Sequence, residues 1–150
     1  MDKERFKNLA ENRRARFDYE ILENYEAGIE LLGTEVKSVK AGQMNLAGSY
    51  AVIRGGDAWL LNAQIPPYQP KNAPKDYDPA RTRRLLLHNK EIAELIGKLH
   101  EKSLSLLPLK AFIKHGFIKL DLGLGRSRKA KDKRDFIKKR ETEREMRRAG

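Results

Sequence analysis

Residues 104–124 leave the backbone little choice. Ile118, Leu120, Leu122 and Leu124 alternate with Phe117, Lys119, Asp121 and Gly123, a period of two that puts every aliphatic side chain on one face of a strand. Another apolar run, residues 104–113, precedes it, and His115-Gly116 separates the two with turn chemistry. A helix cannot segregate this pattern, because its side chains repeat about every 3.6 residues.

The same pattern extends upstream. Phe17, Tyr19 and Ile21 alternate with polar neighbours, residues 28–32 read as a second short strand, and residues 50–54 and 59–65 flank Gly55-Gly56-Asp57, a strong hairpin signal. Helices interrupt the strands. Thr34 is placed to cap one, with Val36 and Val39 on a shared face and Gly42 as its stop. Asn89 is placed to cap another, whose Ile92, Leu95, Ile96 and Leu99 make the clearest helical stripe in the chain. Residues 66–79 hold five of the six prolines and read as an exposed loop. About six short strands with two or three helices do not suit a parallel α/β sheet; they predict a mainly β fold, a small OB-like antiparallel barrel with peripheral helices. At 150 residues the chain fits one such domain.

The character changes after Gly125. Residues 126–150 contain twelve Lys/Arg against five Asp/Glu, so this last sixth carries +7 of the +11 formal net charge. Its apolar side chains are Phe136, Ile137, Met146 and two alanines, too few to offset the entropy of ordering against a barrel. Pairs such as Asp135–Lys139 and Glu143–Arg147 favour a helix by only about 0.2–0.5 kcal/mol each, which leaves a lone helix marginal. The expected organisation is a polar lead-in over 1–16, a barrel over 17–125, and a basic tail over 126–150 that is disordered alone and helical against RNA. A solubilising extension is the plainer alternative for the tail. A membrane-surface helix is disfavoured, since Phe136, Ile137 and Met146 build no broad apolar face.

Asn12-Arg13-Arg14-Ala15-Arg16 forms another basic cluster, and Arg81, Arg83 and Arg84 a third, with guanidinium forks suited to phosphate. Of Leu85, Leu86 and Leu87, most are core by default and one is open to packing under a base. The segment Tyr25-Glu26-Ala27-Gly28 is either a turn with Gly28 at an unusual dihedral or a place where a carboxylate accepts hydrogen bonds from base amino groups or a ribose 2′-OH.

Catalytic chemistry finds no support. Zero cysteines exclude disulfides, thiolate metal sites and a Cys nucleophile. His88, His100 and His115 lack the spacing of a zinc motif, Gly123-Leu124-Gly125-Arg126 lacks the Gly-Lys-Ser/Thr of a phosphate loop, and Asp76 with Asp78 has no further ligand nearby. No catalytic residue, metal or cofactor is expected. No stretch approaches the roughly 20 apolar residues of a membrane span, and residues 1–6 lack the apolar core of a secretory signal. A cytoplasmic protein with no membrane partner is the expectation.

Several segments, taken in order, resemble the small protein B family, the tmRNA-binding proteins of bacterial trans-translation. They are Asn12-Arg13-Arg14-Ala15-Arg16-Phe17-Asp18-Tyr19, Tyr25-Glu26-Ala27-Gly28-Ile29 and Gly33-Thr34-Glu35-Val36-Lys37-Ser38, then Gly48-Ser49-Tyr50 and Asp78-Pro79. Arg81-Thr82-Arg83-Arg84-Leu85-Leu86-Leu87-His88 and Asp132-Lys133-Arg134 complete the series. The resemblance implies an OB-like barrel that grips the tRNA-like domain of tmRNA at its D-loop and elbow. It further implies a complex that enters the empty A site of a stalled ribosome, with a tail that turns helical in the decoding centre and mRNA channel.

Carried over position by position, the RNA contacts are Asn12, Glu26 and Leu86, with Lys37, Arg81, Arg83 and Arg84 as phosphate partners and Arg13 and Arg14 beside them. The ribosome-binding candidates in the tail are Lys129, Lys131, Lys133, Arg134, Lys138, Lys139 and Arg140. One position departs from the family pattern. Lys131 stands where a His or aromatic residue is common, and a lysine supplies charge but no stacking plane. A monomer is expected, and the broader alternative is a general structured-RNA-binding or ribosome-associated structural protein.

Overall fold

The alternation at 118–124 is realised in a computed structural model that describes residues 6–149. Its strands are β1 (Phe6–Glu11), β2 (Tyr19–Ile29), β3 (Tyr50–Arg54), β4 (Asp57–Leu61), β5 (Arg83–Leu86), β6 (Leu104–Lys114) and β7 (Phe117–Ser127). The helices are α1 (Arg13–Asp18), α2 (Gly33–Lys40), α3 (Asn89–Lys98) and α4 (Ala130–Ala149). All pairings are antiparallel, and the order β6-β3-β4-β5-β2-β7 closes into a ring because β6 also pairs with β7. One edge of β6 is shared: Leu106 faces Ala51 of β3, while Lys110 to Lys114 face β1. This is the expected OB-like barrel.

Its details differ from the sequence expectation in instructive ways. Residues 6–11, read as lead-in, contain β1, whose Leu9 and Ala10 pack on the core across a register shift between Asn8 and Ala10. That bulge lets adjacent residues both face inward, so no period of two is visible in the sequence. Residues 28–32 are no separate strand, because β2 runs unbroken from Tyr19 to Ile29 along β7, and Phe17 lies in α1 ahead of it. Helix α2 starts at Gly33, not after a Thr34 cap: the Glu35 carboxylate accepts the Leu32 backbone N–H at 2.8 Å. Gly42, at φ +78, does end it. α3 begins one residue earlier than an Asn89 cap would put it, and its Ile92 and Leu95 are buried while Ile96 is exposed.

Ala27, Leu60, Leu85, Leu120 and Leu122 fill the barrel. At the α2 end the core also contains an ion pair. Glu35 and Arg83 have no exposed side-chain surface, and Arg83 Nη2 lies 2.6 Å from Glu35 Oε2. Arg83 also donates to the carbonyls of Ala63, Arg81 and Pro79 at 3.0, 3.1 and 3.0 Å. The Tyr77 hydroxyl, from the proline-rich loop, lies 3.0 Å from Glu35 Oε2 and 2.7 Å from the Ile65 carbonyl oxygen, two acceptors that share its single proton, and Arg81 forks onto the same carboxylate. Burial alone would raise the Glu35 carboxyl; the hydrogen bonds from Arg81, Leu32 and Arg83 outweigh it and hold it at about 2, below the ordinary 4.5.

A carboxyl depressed on folding stabilises the fold above its unfolded value, and that contribution is lost as pH falls from about 4.5 through about 2. Replacing Glu35 by alanine strands Arg83 in the core and is expected to cost about 3–5 kcal/mol. Urea unfolding at neutral pH measures this, and the variant's stability should also lose much of its slope between pH 4.5 and 2. An unchanged urea midpoint would mean that the pair carries no stability.

Candidate RNA-binding surface

Strand pairing decides which side chains share the outer wall of the barrel. Ala27 and Leu120 point into the core, so Glu26 and Gly28 on β2 and Lys119 and Asp121 on β7 face out. Leu86 pairs with Gly28, Gly28 with Lys119, and Lys119 with Phe112, a transverse row across four strands. Leu85 is in the core and Leu87 half-buried against it, which leaves Leu86 as the leucine that faces solvent, 46% exposed. It lies over Gly28, where a Cβ would sit 3.3 Å from Leu86 Cβ. Gly28 therefore serves close approach near the end of β2, and of the two readings of this segment the turn dihedral falls, since Gly28 is absent from the positive-φ residues.

Glu26 stands beside this row, opposite Asp121, and its carboxylate accepts Lys114 Nζ at 3.0 and 3.2 Å. Sequence reading missed Lys114, because only the β6–β7 hairpin brings a residue 88 positions away onto Glu26. Arg84 is also on the wall, clamped between Glu30 and Asp57 at 3.1 and 3.0 Å. The wall is consequently close to charge-balanced, with an apolar spot at Leu86.

The expected phosphate arginines separate here. Arg83 is fully enclosed by Glu35 and three carbonyls, so it cannot reach a phosphate; its side chain faces inward while Arg84, next along β5, faces out. Arg81 gives two nitrogens to Glu35 and keeps about a third of its side chain exposed (32%). Lys37 is exposed on α2.

A different surface forms at the other end of the long β2–β7 ribbon. α1 packs Ala15 onto Leu107 and Leu109, close to Tyr19 and Ile21, and displays Arg13, Arg14 and Arg16. The basic tail is the helix α4, joined there by its first turns. Arg128 N–H donates to the Asp18 carbonyl at 2.8 Å, and Lys133 Nζ lies 3.0 Å from the Asp18 carboxylate. Lys133 and Arg14 both sit over the Phe17 ring, at 5.6 and 5.2 Å. Burial would raise the Asp18 carboxyl, but Lys133 and Arg14 outweigh it and hold it below its ordinary value. Further along, Arg128 and Arg140 flank Phe136, while Arg134, Lys138 and Lys139 are exposed. Lys129 is exposed as well, and the Lys131 side chain lies outside the described residues.

The family model described as SmpB protein matches residues 9–150. The chain belongs to the SmpB family. A relative from Synechocystis sp. called SsrA-binding protein is 52% identical over 148 residues, covering 99% of this chain and 96% of that protein. A protein of the same name from Gloeothece citriformis is 53% identical over 143 residues, covering 95% of this chain and 92% of its own length. Among solved structures, a chain described as "tmRNA-SmpB: a journey to the center of the bacterial ribosome" superposes with a TM-score of 0.68 and 48% identity, covering 85% of this chain and 92% of that one.

Within the family pattern, Asn12 changes role. It is 5% exposed, and its side chain is occupied: Nδ2 donates to the Leu46 and Pro108 carbonyls at 3.2 and 2.9 Å, while Oδ1 accepts the Ala15 N–H at 3.2 Å. It caps α1 and ties that helix to β6, leaving no donor for RNA. Asn12→Ala is expected to lower stability by about 1–3 kcal/mol, read as a drop in the denaturation midpoint. If the variant kept full stability but lost RNA affinity, Asn12 would be a contact after all.

Proposed function

We propose that this chain is the tmRNA-binding adaptor of trans-translation. The barrel binds the tRNA-like domain of tmRNA and brings it to the A site of stalled ribosomes, where α4 enters the decoding centre and mRNA channel. The chain does this in the cytoplasm, as a monomer, by binding rather than catalysis. Family membership supports the reading, as do relatives that carry the name SsrA-binding protein. The observation that carries it here is the split between two surfaces: a charge-balanced wall with Glu26 and an exposed Leu86, and a basic helix at the far end of the same ribbon.

A balanced wall reads shape and base edges, since a carboxylate repels phosphate but accepts from amino groups and 2′-OH. The outward face of α4 acts through charge, and its affinity for RNA falls steeply with salt. Competition of the tRNA-like domain against bulk tRNA at fixed salt tests the reading, and equal affinity would favour a general structured-RNA binder.

Leu86→Ala should weaken binding of the tRNA-like domain by on the order of 1 kcal/mol, and Glu26→Ala by about 1–3 kcal/mol. Titration with labelled RNA measures both, and a dissociation constant that stays put removes that residue from the site. Deleting residues 130–150, which spares β7 up to Ser127, should leave tmRNA affinity nearly intact and abolish tagging of stalled chains. A comparable loss of tmRNA affinity would contradict the division between barrel and tail.

A further inference from the structure

Phe117 is 70% exposed at the tip of the β6–β7 hairpin, whereas Phe112, on the same face of β6, is only 8% exposed. The turn before it is tight: His115 and Gly116 take φ of 51 and 83. Ile118 is buried and opposes Ile113, so Phe117, one residue back and opposite Lys114, must face outward. It therefore lies on the same face of β7 as Lys119, the strand position that joins the Leu86–Gly28 row. Its cross-strand partner Lys114 is the residue whose ammonium rests on Glu26. Phe117 is thus at the rim of the Glu26–Leu86 wall.

Nothing in the barrel requires a ring at this place. A hairpin of this kind is set by the turn and by the inward Ile113 and Ile118, and a polar residue at the tip would be better solvated. An aromatic face at this place has an evident use with RNA: every base offers a π-face, and Lys119, two positions along the same face of β7, supplies a cation for a neighbouring phosphate. A protein partner would want a broad apolar patch around the ring, and on this face its cross-strand partner Lys114 and the next outward residue of β7, Lys119, are both charged.

We propose that Phe117 is a further RNA contact of this protein, its ring stacking on one unpaired base of the structured RNA held by the Glu26–Leu86 wall. The inference rests on the function proposed above and extends its site across β7 to the hairpin tip.

The test titrates labelled tRNA-like domain into the full-length chain at fixed salt, comparing Phe117→Ala, Phe117→Leu and Phe117→Trp with Leu86→Ala. Loss of the ring should weaken binding roughly tenfold in both the alanine and leucine variants, while the tryptophan variant stays within about threefold of the parent. In a Trp59→Phe background, the indole emission of Phe117→Trp should be quenched on adding RNA. Thermal melts of each Phe117 variant should match those of its own background, since the side chain is exposed. Unchanged affinity in Phe117→Ala, leucine performing as well as tryptophan, or an emission blind to RNA would each overturn the inference. Should Leu86→Ala weaken binding while Phe117→Ala does not, only the stacking role falls. Should the parent show no preference for the tRNA-like domain over bulk tRNA, the proposed function falls and takes the stacking role with it.

Discussion

A guanidinium with no exposed surface must find an acceptor for its N–H groups inside the protein, and Arg83 finds them in Glu35, Tyr77 and three backbone carbonyls. Those partners come from α2, the residues just after β4, the proline-rich loop and the short link that leads from it into β5, where Arg83 itself stands. One buried pair therefore joins four stretches of chain that share no continuous hydrophobic pattern. The loop over 66–79 is tied down through Tyr77, whose hydroxyl meets both Glu35 and the Ile65 carbonyl. Its inward placement also directs the next residues: with Arg83 inside, Leu85 is inside too, and Arg84 and Leu86 are obliged to face out. The exposed leucine of the outer wall is thus a consequence of a buried arginine three residues earlier.

The second organising element is the β2–β7 ribbon, paired from Tyr19 opposite Ser127 to Gly28 opposite Lys119. Nine matched positions make the ladder, with one register shift between Ile21 and Glu23. Gly123 keeps it closely covered, since a Cβ there would come within 2.8 Å of Leu109 Cδ1. At one end the ribbon holds Glu26 and, through β5, Leu86; at the other it receives α1 and launches α4 beside Asp18. Charge follows the same division. Glu26 with Lys114, and Arg84 with Glu30 and Asp57, nearly cancel on the wall, while Arg13, Arg14, Arg16 and the tail concentrate cations at the far end. The ribbon thus separates a charge-balanced wall from a cationic helix, the separation on which the proposed function rests.

Legibility in the sequence followed the physics of each element. β3 and β4 around Gly55-Gly56 were readable because turn chemistry and alternation coincide locally. β7 was readable for its alternation alone. β1 and β5 were not: a bulge breaks the period in β1, and in β5 a basic residue occupies an inward position that any hydrophobicity pattern assigns to solvent. The same blindness explains the site residues. Leu86 and Glu26 face out, but Arg83 and Asn12 look like surface groups in the sequence and are structural, each satisfied by backbone carbonyls far along the chain. The tail was legible as basic and helix-compatible; its attachment through Asp18 to Lys133 depends on the barrel's shape.

What the amino-acid order settled alone was what local forces settle: strand or helix, the hairpin turns, the place where apolar residues run out, and the excess positive charge beyond Gly125. Which arginine is a surface cation and which a buried strut was decided only by the closed barrel. Burial is a property of all the chain that folds over a residue, and neither charge nor spacing records it.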